Sequence, residues 1–321
     1  MNRKTFCTVL LAASFGGAWA QSYPSKPIKV IVPYAAGGAA DITARVVTQK
    51  MSENMGVPIV VDNRPGANGM IGTEAVVKAA PDGYTLLLVA SGPLVVNPAL
   101  YAKVPYDPVK DLLPISQVTT FQYAVVVTAS SPINSMQELV AMAKAKPGMI
   151  SYGSTGVGGG GHLAGEMLGL ITGTNLAHVP YKGGSQAMPD LLGGQLSFTF
   201  DAVVTTVPLL QAGKLRAYAV TGPRRAKALP QVPTLNELGY KGFNITQFQG
   251  LLAPANTDPA IIARLHQEVV KAVRAADVIQ RLETDGGNEL VGNTPAEFAA
   301  QIRSDLALYR KLIKDANIKQ E

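Results

Sequence analysis

The sequence contains a single cysteine, Cys7, among its 321 residues. Cys7 lies in the first twenty residues, which have the pattern of a secretory signal peptide. Arg3 and Lys4 make a basic start, residues 5–15 are apolar, and residues 18–20 read Ala-Trp-Ala, the form of a signal-peptidase site. We therefore expect residues 1–20 to be removed on export to the periplasm. The remaining chain would then have no disulfide, no thiolate chemistry and no lipid anchor on cysteine.

Long apolar runs and clustered basic residues are also missing. No stretch approaches the ~18 uninterrupted apolar residues of a transmembrane helix. Lys and Arg number 28 against 22 Asp and Glu, which gives a net charge of +6, but they are scattered along the chain. Nucleic-acid-binding proteins usually concentrate their basic residues on one face. We therefore expect no nucleic-acid partner.

Histidine is scarce, with three in the chain. His162 and Glu166 lie one helical turn apart, but nothing suggests a third metal ligand. Residues 156–161 match G-x-G-x-x-G formally, yet the acidic residue that a dinucleotide site needs about 20 positions later is absent. No Gly-Lys-Ser/Thr loop, nucleophile elbow or Ser/His/Asp set stands out. We expect no metal, no cofactor and no enzymatic activity.

What the sequence does contain is a regular alternation of strand and helix patterns. The predicted strands are residues 28–32, 58–62, 84–90, 113–119, 124–128, 150–152, 176–179, 197–200, 216–220 and 245–252. The predicted helices are residues 41–55, 72–80, 135–146, 162–170, 186–192, 259–275 and 295–313. This alternation predicts an α/β fold with mostly parallel sheets flanked by helices.

The alternation runs through two similar series, and about 300 residues are more than one core usually accommodates. We predict two lobes with a cleft between them. The first lobe is residues 21–121 and 246–321, and the second is residues 122–245. The lobes would close by a hinge motion through strands that cross near residues 119–123 and 243–252.

The first candidate binding loop is residues 33–41, Pro-Tyr-Ala-Ala-Gly-Gly-Ala-Ala-Asp, between a strand and a helix. Pro33, Tyr34, Gly37, Gly38 and Asp41 are the candidate ligand-binding residues. Glycine allows backbone N–H groups to approach a ligand closely, and the first turn of a helix attracts anions. The alternative is a plain turn in which Asp41 only stabilises the start of its helix.

The second candidate loop, residues 151–162, repeats this arrangement in the second lobe. Its candidates are Ser154, Thr155, Gly156, Gly161 and His162, where the two hydroxyls are further donors. Ligands of open α/β sheets bind beyond the carboxyl ends of the strands, where both loops fall. Two facing helix N-termini would hold the two ends of a small dianion.

Three further candidates follow predicted strands. Ser91 and Asp201 each lie at the carboxyl end of a strand, and Tyr181 lies in a strand-to-helix turn. For Ser91 a ligand contact is open, and for Asp201 a ligand contact and a capping or turn role are both open. Tyr181 would either stack on the ligand or line the hinge.

Six motifs in the same order resemble one protein family. They are residues 23–28 (YPSKPI), 33–41 (PYAAGGAAD), 61–67 (VDNRPGA), 80–86 (APDGYTL), 178–183 (HVPYKG) and 190–195 (DLLGGQ). They are similar to the extracytoplasmic binding proteins of tripartite tricarboxylate transporters, the Bug family. The resemblance extends from about residue 23 to the C-terminus.

The resemblance implies a two-lobed Venus-flytrap fold that captures a small mono- or dicarboxylate and delivers it to membrane permease subunits. We expect the protein to be a monomer. The loops matching residues 33–41 and 153–162 would hold carboxylate oxygens through amides, hydroxyls and ordered water. Ala39 stands where the family usually has an aromatic residue or proline. This departure predicts a roomier site, for an aromatic or longer acid. The alternatives are a protein that feeds a signalling receptor and a secreted hydrolase or isomerase acting on a carboxylate.

Overall fold

The computed structural model describes residues 23–315. The predicted signal peptide and Cys7 lie outside the described residues. The strands are β1 (Ile28–Val32), β2 (Ile59–Asn63), β3 (Thr85–Ala90), β4 (Leu112–Thr128), β5 (Ser151–Ser154), β6 (Ala177–Pro180), β7 (Phe198–Ala202), β8 (Leu215–Val220), β9 (Thr246–Pro254) and β10 (Glu289–Leu290). The helices are α1 (Ala39–Met55), α2 (Met70–Val77), α3 (Asn97–Leu100), α4 (Met136–Ala145), α5 (Gly160–Thr172), α6 (Gly184–Leu192), α7 (Val203–Gln211), α8 (Pro259–Val273), α9 (Ala276–Val278) and α10 (Pro295–Asp315).

The strands follow the order β2-β1-β3-β9-β4-β7-β5-β6, with β8 and β10 pairing with β4. β1 is parallel to β2 and β3, and β5 is parallel to β6 and β7. These two parallel groups are the sheets of the two lobes and confirm the predicted α/β class. The strands that join them, β4 and β9, pair with their neighbours in antiparallel fashion.

β4 is one continuous strand of 17 residues, where the sequence pattern predicted two strands. Residues 112–122 pair with β9, and residues 123–128 pair with β7 and β8. The two segments join because residues 118–123 are strand-forming and contain no glycine or proline. β4 therefore belongs to both lobes and passes from one to the other near Gln122, which pairs with Thr246 of β9.

Separate apolar clusters lie under the two sheets. In the first lobe, residues 86–89 of β3 are fully buried among α1, α8 and α10. In the second, Tyr152 of β5 and Phe198 of β7 are fully buried, and their rings stack at 5.7 Å. α10 packs an apolar stripe against the first lobe, where Phe298, Ile302 and Leu306 are all buried. Within residues 23–315, no helix is both long and apolar enough to cross a membrane.

Four helical segments were not expected from the sequence. They are the 3₁₀ turn Ala67–Gly69, a π-helical turn, Gly92–Val96, that continues into α3, the whole of α7, and the stretch from α9 through the π-helical turn Ile279–Thr284. Pro208, inside α7, and the β-branched residues of α7 argue against helix locally. Packing overrides these local preferences, since Val203 and Val207 of α7 are buried in the second lobe.

Candidate functional site

A cavity lies between the lobes, beyond the carboxyl ends of β1, β3, β5 and β7. Its backbone lining comes from the start of α1, α5 and α6: Gly38, Ala39, Ala40, Gly160, Gly183 and Gly184. Its apolar lining is mainly Tyr34, Ala90, Phe121, Tyr123, Phe200 and Ala202. Its polar side chains are Ser154, Thr155, Thr199, Asp201, Thr205, Gln247 and Gln249. The cavity has a volume of ≈ 60 Å³.

Three helices begin at this cavity with a glycine as N-cap, and none of the three has a side-chain cap. The N-cap residues are Gly38 for α1, Gly159 for α5 and Gly183 for α6, and no side chain of the described chain accepts a hydrogen bond in the capping position. The first amides of a helix have no partner within it, and the helix dipole places partial positive charge there. The cavity can therefore attract an anion although its lining includes no lysine or arginine.

Asp41 lies behind the first loop and does not line the cavity. Its carboxylate accepts hydrogen bonds from Gly37 N (2.9 Å), Arg45 Nε (3.0 Å) and Asn63 Nδ2 (3.0 Å). Burial by itself would raise the pKa of Asp41, but these hydrogen bonds outweigh it and lower the pKa below its ordinary value. Asp41 thus fixes the backbone of the turn before α1.

The other candidates of the first loop fall into two groups, those that line the cavity and those that do not. Tyr34 and Gly38 line the cavity, whereas Pro33 and Gly37 do not. The ring of Pro33 packs under the chain at Gly72, where a Cβ would come within 2.7 Å of it. Gly37 has a φ of 78°, a left-handed conformation that favours glycine. Pro33 and Gly37 therefore shape the loop that Tyr34 and Gly38 present.

In the second loop, Ser154 and Thr155 line the cavity. The Ser154 hydroxyl accepts a hydrogen bond from Gly156 N (3.0 Å) and lies 2.6 Å from His178 Nε2. Gly156 has a φ of 112°, again a conformation for glycine. Gly161 lies behind the cavity, where its Cβ position is 3.4 Å from the backbone oxygen of Phe200.

His162 is buried behind the same loop. Its Nδ1 accepts a hydrogen bond from Gly158 N (3.2 Å), and its ring lies 4.5 Å from that of His178. Glu166 Oε1 is 3.9 Å from His162 Nε2. Among residues 23–315, no group of three His, Cys, Asp or Glu side chains is arranged to hold a metal ion. His162 therefore holds the glycine loop in place rather than facing the cavity.

The remaining candidates reach the cavity to different degrees. Ser91 is buried and donates a short hydrogen bond to Gln247 Oε1, beside the cavity. Tyr181 does not line the cavity; its hydroxyl donates to Asp190 Oδ2 at 2.5 Å. Burial is the larger cause that raises the pKa of Tyr181, and the hydrogen bond to Asp190 adds to it, which brings the pKa to about 12.

Asp201 does line the cavity. Its Oδ2 accepts hydrogen bonds from Thr205 Oγ1 (2.7 Å) and Thr206 Oγ1 (3.0 Å) at the start of α7. Burial raises the pKa of Asp201 to about 6, and the threonine hydroxyls lower it only in part. A titratable acid therefore stands in a cavity that otherwise favours anions.

Sequence reasoning missed the floor of the cavity, which is formed by β4 and β9. Gln247 pairs with Phe121 and Gln249 with Thr119, so these side chains share one face of the sheet. The sequence signal for this floor was a pair of glutamines two residues apart, in a strand whose other residues are mostly apolar. Both glutamines are buried, with Gln249 fully inaccessible.

Gln249 also carries an unsatisfied donor. Its Oε1 accepts a hydrogen bond from Thr119 Oγ1 (3.1 Å), while its Nε2 has no partner among the described side chains and backbone groups. Buried polar groups are nearly always hydrogen-bonded, and leaving one unpaired costs about 1–3 kcal/mol.

Contacts between the lobes close the mouth of the cavity. Ser185 Oγ donates to Ala36 O (2.8 Å), and Tyr101 Oη donates to Val157 O (2.9 Å). The backbone of Ala35 approaches that of Lys182, with N and O 3.4 Å apart. The two candidate loops are therefore in direct contact with the opposite lobe.

Residues 43–318 match the family described as "Tripartite tricarboxylate transporter family receptor". The chain is 34% identical over 301 residues to Protein BugT of Bordetella pertussis, covering 94% of this chain and 92% of BugT. It superposes on the periplasmic binding protein BugD with a TM-score of 0.89 at 34% identity, covering 93% of this chain and 100% of BugD. An R. palustris protein solved with adipate gives a TM-score of 0.89 at 31% identity, covering 92% of this chain and 99% of that protein.

Proposed function

The chain belongs to the tripartite tricarboxylate transporter receptor family, and we propose that it captures a small organic carboxylate in the cavity between its lobes. It then delivers the acid to the membrane permease subunits of such a transporter. BugD is a periplasmic binding protein, and export through the predicted signal peptide would place this chain in the same compartment.

One observation carries the carboxylate assignment: three helices without side-chain caps begin at a cavity that no lysine or arginine lines. Backbone amides at these positions supply donors and partial positive charge for carboxylate oxygens. The structural neighbour solved with adipate supports an acid about the size of adipate.

We assign the direct contacts to the predicted candidates that line the cavity: Tyr34, Gly38, Ser154, Thr155 and Asp201. The other candidates hold these residues in place. They are Pro33, Gly37, Asp41, Ser91, Gly156, Gly161, His162 and Tyr181. The proposed lobes remain residues 21–121 with 246–321, and residues 122–245; the crossing of β4 beside β9 near Gln122 supports this division.

A feature that favours an enzyme is the 2.6 Å contact between Ser154 Oγ and His178 Nε2, since a nucleophile needs an adjacent base. However, Ser154 Oγ also accepts from Gly156 N and lies 3.1 Å from Gly156 O, so its hydroxyl is engaged within the loop. We propose that the pair positions the loop and that the bound acid is not transformed.

The test is a thermal-shift screen of residues 21–321 against mono-, di- and tricarboxylates and aromatic acids. An acid at ~100 times its dissociation constant should stabilise the protein by roughly 2.7 kcal/mol. It should be recovered chemically unchanged after incubation. A screen without a carboxylate hit, or a hit that is consumed, would contradict the proposal.

A variant with Gly38→Val tests the amide site itself. The Cβ position at Gly38 is 3.4 Å from Ala35 O, so the fold should accept the side chain while it blocks the start of α1. We expect affinity to fall at least about tenfold, because a hydrogen bond to a charged group contributes about 1.5–3 kcal/mol. Gly193→Val, at the opposite end of α6 and outside the cavity lining, is the control and should bind normally.

A further inference from the structure

We infer that Gln249 determines which acids bind, by donating a hydrogen bond to a second acceptor group of the ligand. Gln249 lines the cavity, is fully buried, and has no hydrogen-bond partner for Nε2 among residues 23–315. A donor kept unpaired at a cavity wall is satisfied when a ligand supplies an acceptor. This inference rests on the proposed function, since it concerns the acid held in that cavity.

A comparison with Gln247 shows that, of the two glutamines, only Gln249 has an unpaired side-chain donor. Gln247 Oε1 accepts from Ser91, and its Nε2 donates to Thr246 O at 3.2 Å. Gln249 uses only its oxygen, which accepts from Thr119. The two amides lie on the same face of β9, yet one is engaged within the protein and the other retains a free donor.

The position of Gln249 separates it from the start of α5. Gln247 lies beside the start of α5, since a Cβ at Gly160 would come within 2.8 Å of Gln247 Cδ. Gln249 is two residues further along β9, about 7 Å at the rise of a strand. An acid with one carboxylate at the start of α5 therefore reaches Gln249 with a second acceptor across its body. That second group is a carboxylate, a hydroxyl or a ring nitrogen.

The walls between these two points are largely apolar. Phe121, Tyr123 and Ala90 line the cavity near β4, β9 and the end of β3. They suit an aliphatic chain or an aromatic ring. The ligand class is thus an acid with an apolar middle and an acceptor at each end.

The experiment compares pairs of acids that differ in the second acceptor. Butyrate with succinate, hexanoate with adipate, and benzoate with nicotinate are titrated by calorimetry into the wild-type protein. The wild type should bind the second acid at least about tenfold more tightly in one pair or more. In the double variant Thr119→Val/Gln249→Leu that preference should disappear through loss of affinity for the second acid, because the donor is gone.

If Gln249 had a purely structural role, the double variant would unfold at lower urea than the wild type. The double variant replaces both partners of one hydrogen bond with apolar side chains and removes the unpaired donor, so its midpoint of urea unfolding should be unchanged or higher. Gln117→Leu is the matched control. Gln117 is buried on β4, outside the cavity lining, and its Nε2 donates to Thr120 Oγ1 at 2.7 Å. The Gln117 variant should unfold at lower urea and keep the wild-type preference between acids.

Two results would overturn the inference: no preference in the wild type, or a preference that survives in the double variant. Failure of the wild type to bind any of the six acids would instead contradict the proposed function, and this inference with it.

Discussion

Six helices of this protein begin in two different ways, three of them away from the cavity and three at it, whereas α2 starts at Gly69 without a side-chain cap although it lies outside the cavity lining. Away from the cavity, Ser135 caps α4 and Asp258 caps α8 through their side chains. Thr294 does the same for α10, where Glu297 N donates to Thr294 Oγ1 at 3.2 Å. At the cavity, α1, α5 and α6 begin at glycines without side-chain caps.

The difference separates stability from ligand binding. A polar N-cap satisfies an amide that would otherwise be unpaired, and replacing it with alanine costs about 0.5–2 kcal/mol. A glycine in the same place costs only a few tenths of a kcal/mol by comparison with a polar cap. Glycine caps therefore leave the amides of α1, α5 and α6 available to an anion at little expense in folding stability.

The largest effect should come from blocking a cavity-facing helix start. A Cβ at Gly160 would come within 2.4 Å of the Tyr123 hydroxyl, at the cavity wall. Gly160→Ala should reduce affinity for the best acid about 100-fold, or ~2.7 kcal/mol, since the neighbours must move into the binding space. Isothermal calorimetry measures the loss, and near-ultraviolet circular dichroism checks the fold. Binding within about threefold of wild type would show that the start of α5 does not contact the ligand.

The next largest effect concerns the acidic side chain that lines the cavity. The pKa of Asp201, raised by burial from 3.8 to about 6, is higher in the folded than in the unfolded chain. A group of this kind contributes stability that is complete below about pH 4 and is lost as pH rises through about 6, by roughly 1–3 kcal/mol. Urea unfolding between these values should show the decline, and Asp201→Asn should flatten it.

The same titration should affect ligand binding. Above about pH 6 the Asp201 carboxylate is ionised and repels an anionic ligand, so affinity for a carboxylate should fall as pH rises through about 6. In Asp201→Asn the affinity should vary little over this interval. An affinity that rises with pH in the wild type would contradict the placement of Asp201 beside the ligand.

Much of this architecture was predictable because its signals are local. Ser135, three residues before Glu138, has the local pattern of a helix cap, and Glu138 N donates to Ser135 Oγ at 3.1 Å. The glycine turns before α1 and α5 were located for the same reason. Within those turns, the sequence could not distinguish side chains that face the cavity from those that support it. Asp41 and His162 turn away because Arg45, Asn63 and Gly158 bind them from behind.

The floor of the cavity depends on contacts distant in sequence, which local patterns do not report. Gln249 pairs with Thr119 across 130 positions, and Ser91 meets Gln247 across 156. The second contact exists because β3 and β9 run side by side, and the first because β4 and β9 do. The same pairing makes β4 a single strand, where two had been predicted.

The smallest effect is the most direct measure of the contrast between capped and uncapped helices. Ser135→Ala should lower the free energy of unfolding by about 1 kcal/mol, whereas Ser135→Gly should lower it by only a few tenths. Neither change should alter affinity for an acid, because α4 contributes nothing to the cavity lining. Urea denaturation and calorimetry on both variants check the two expectations. If Ser135→Gly costs as much as Ser135→Ala, then the glycines at α1, α5 and α6 are held at a substantial cost in stability, and selection for an open anion site must be correspondingly stronger.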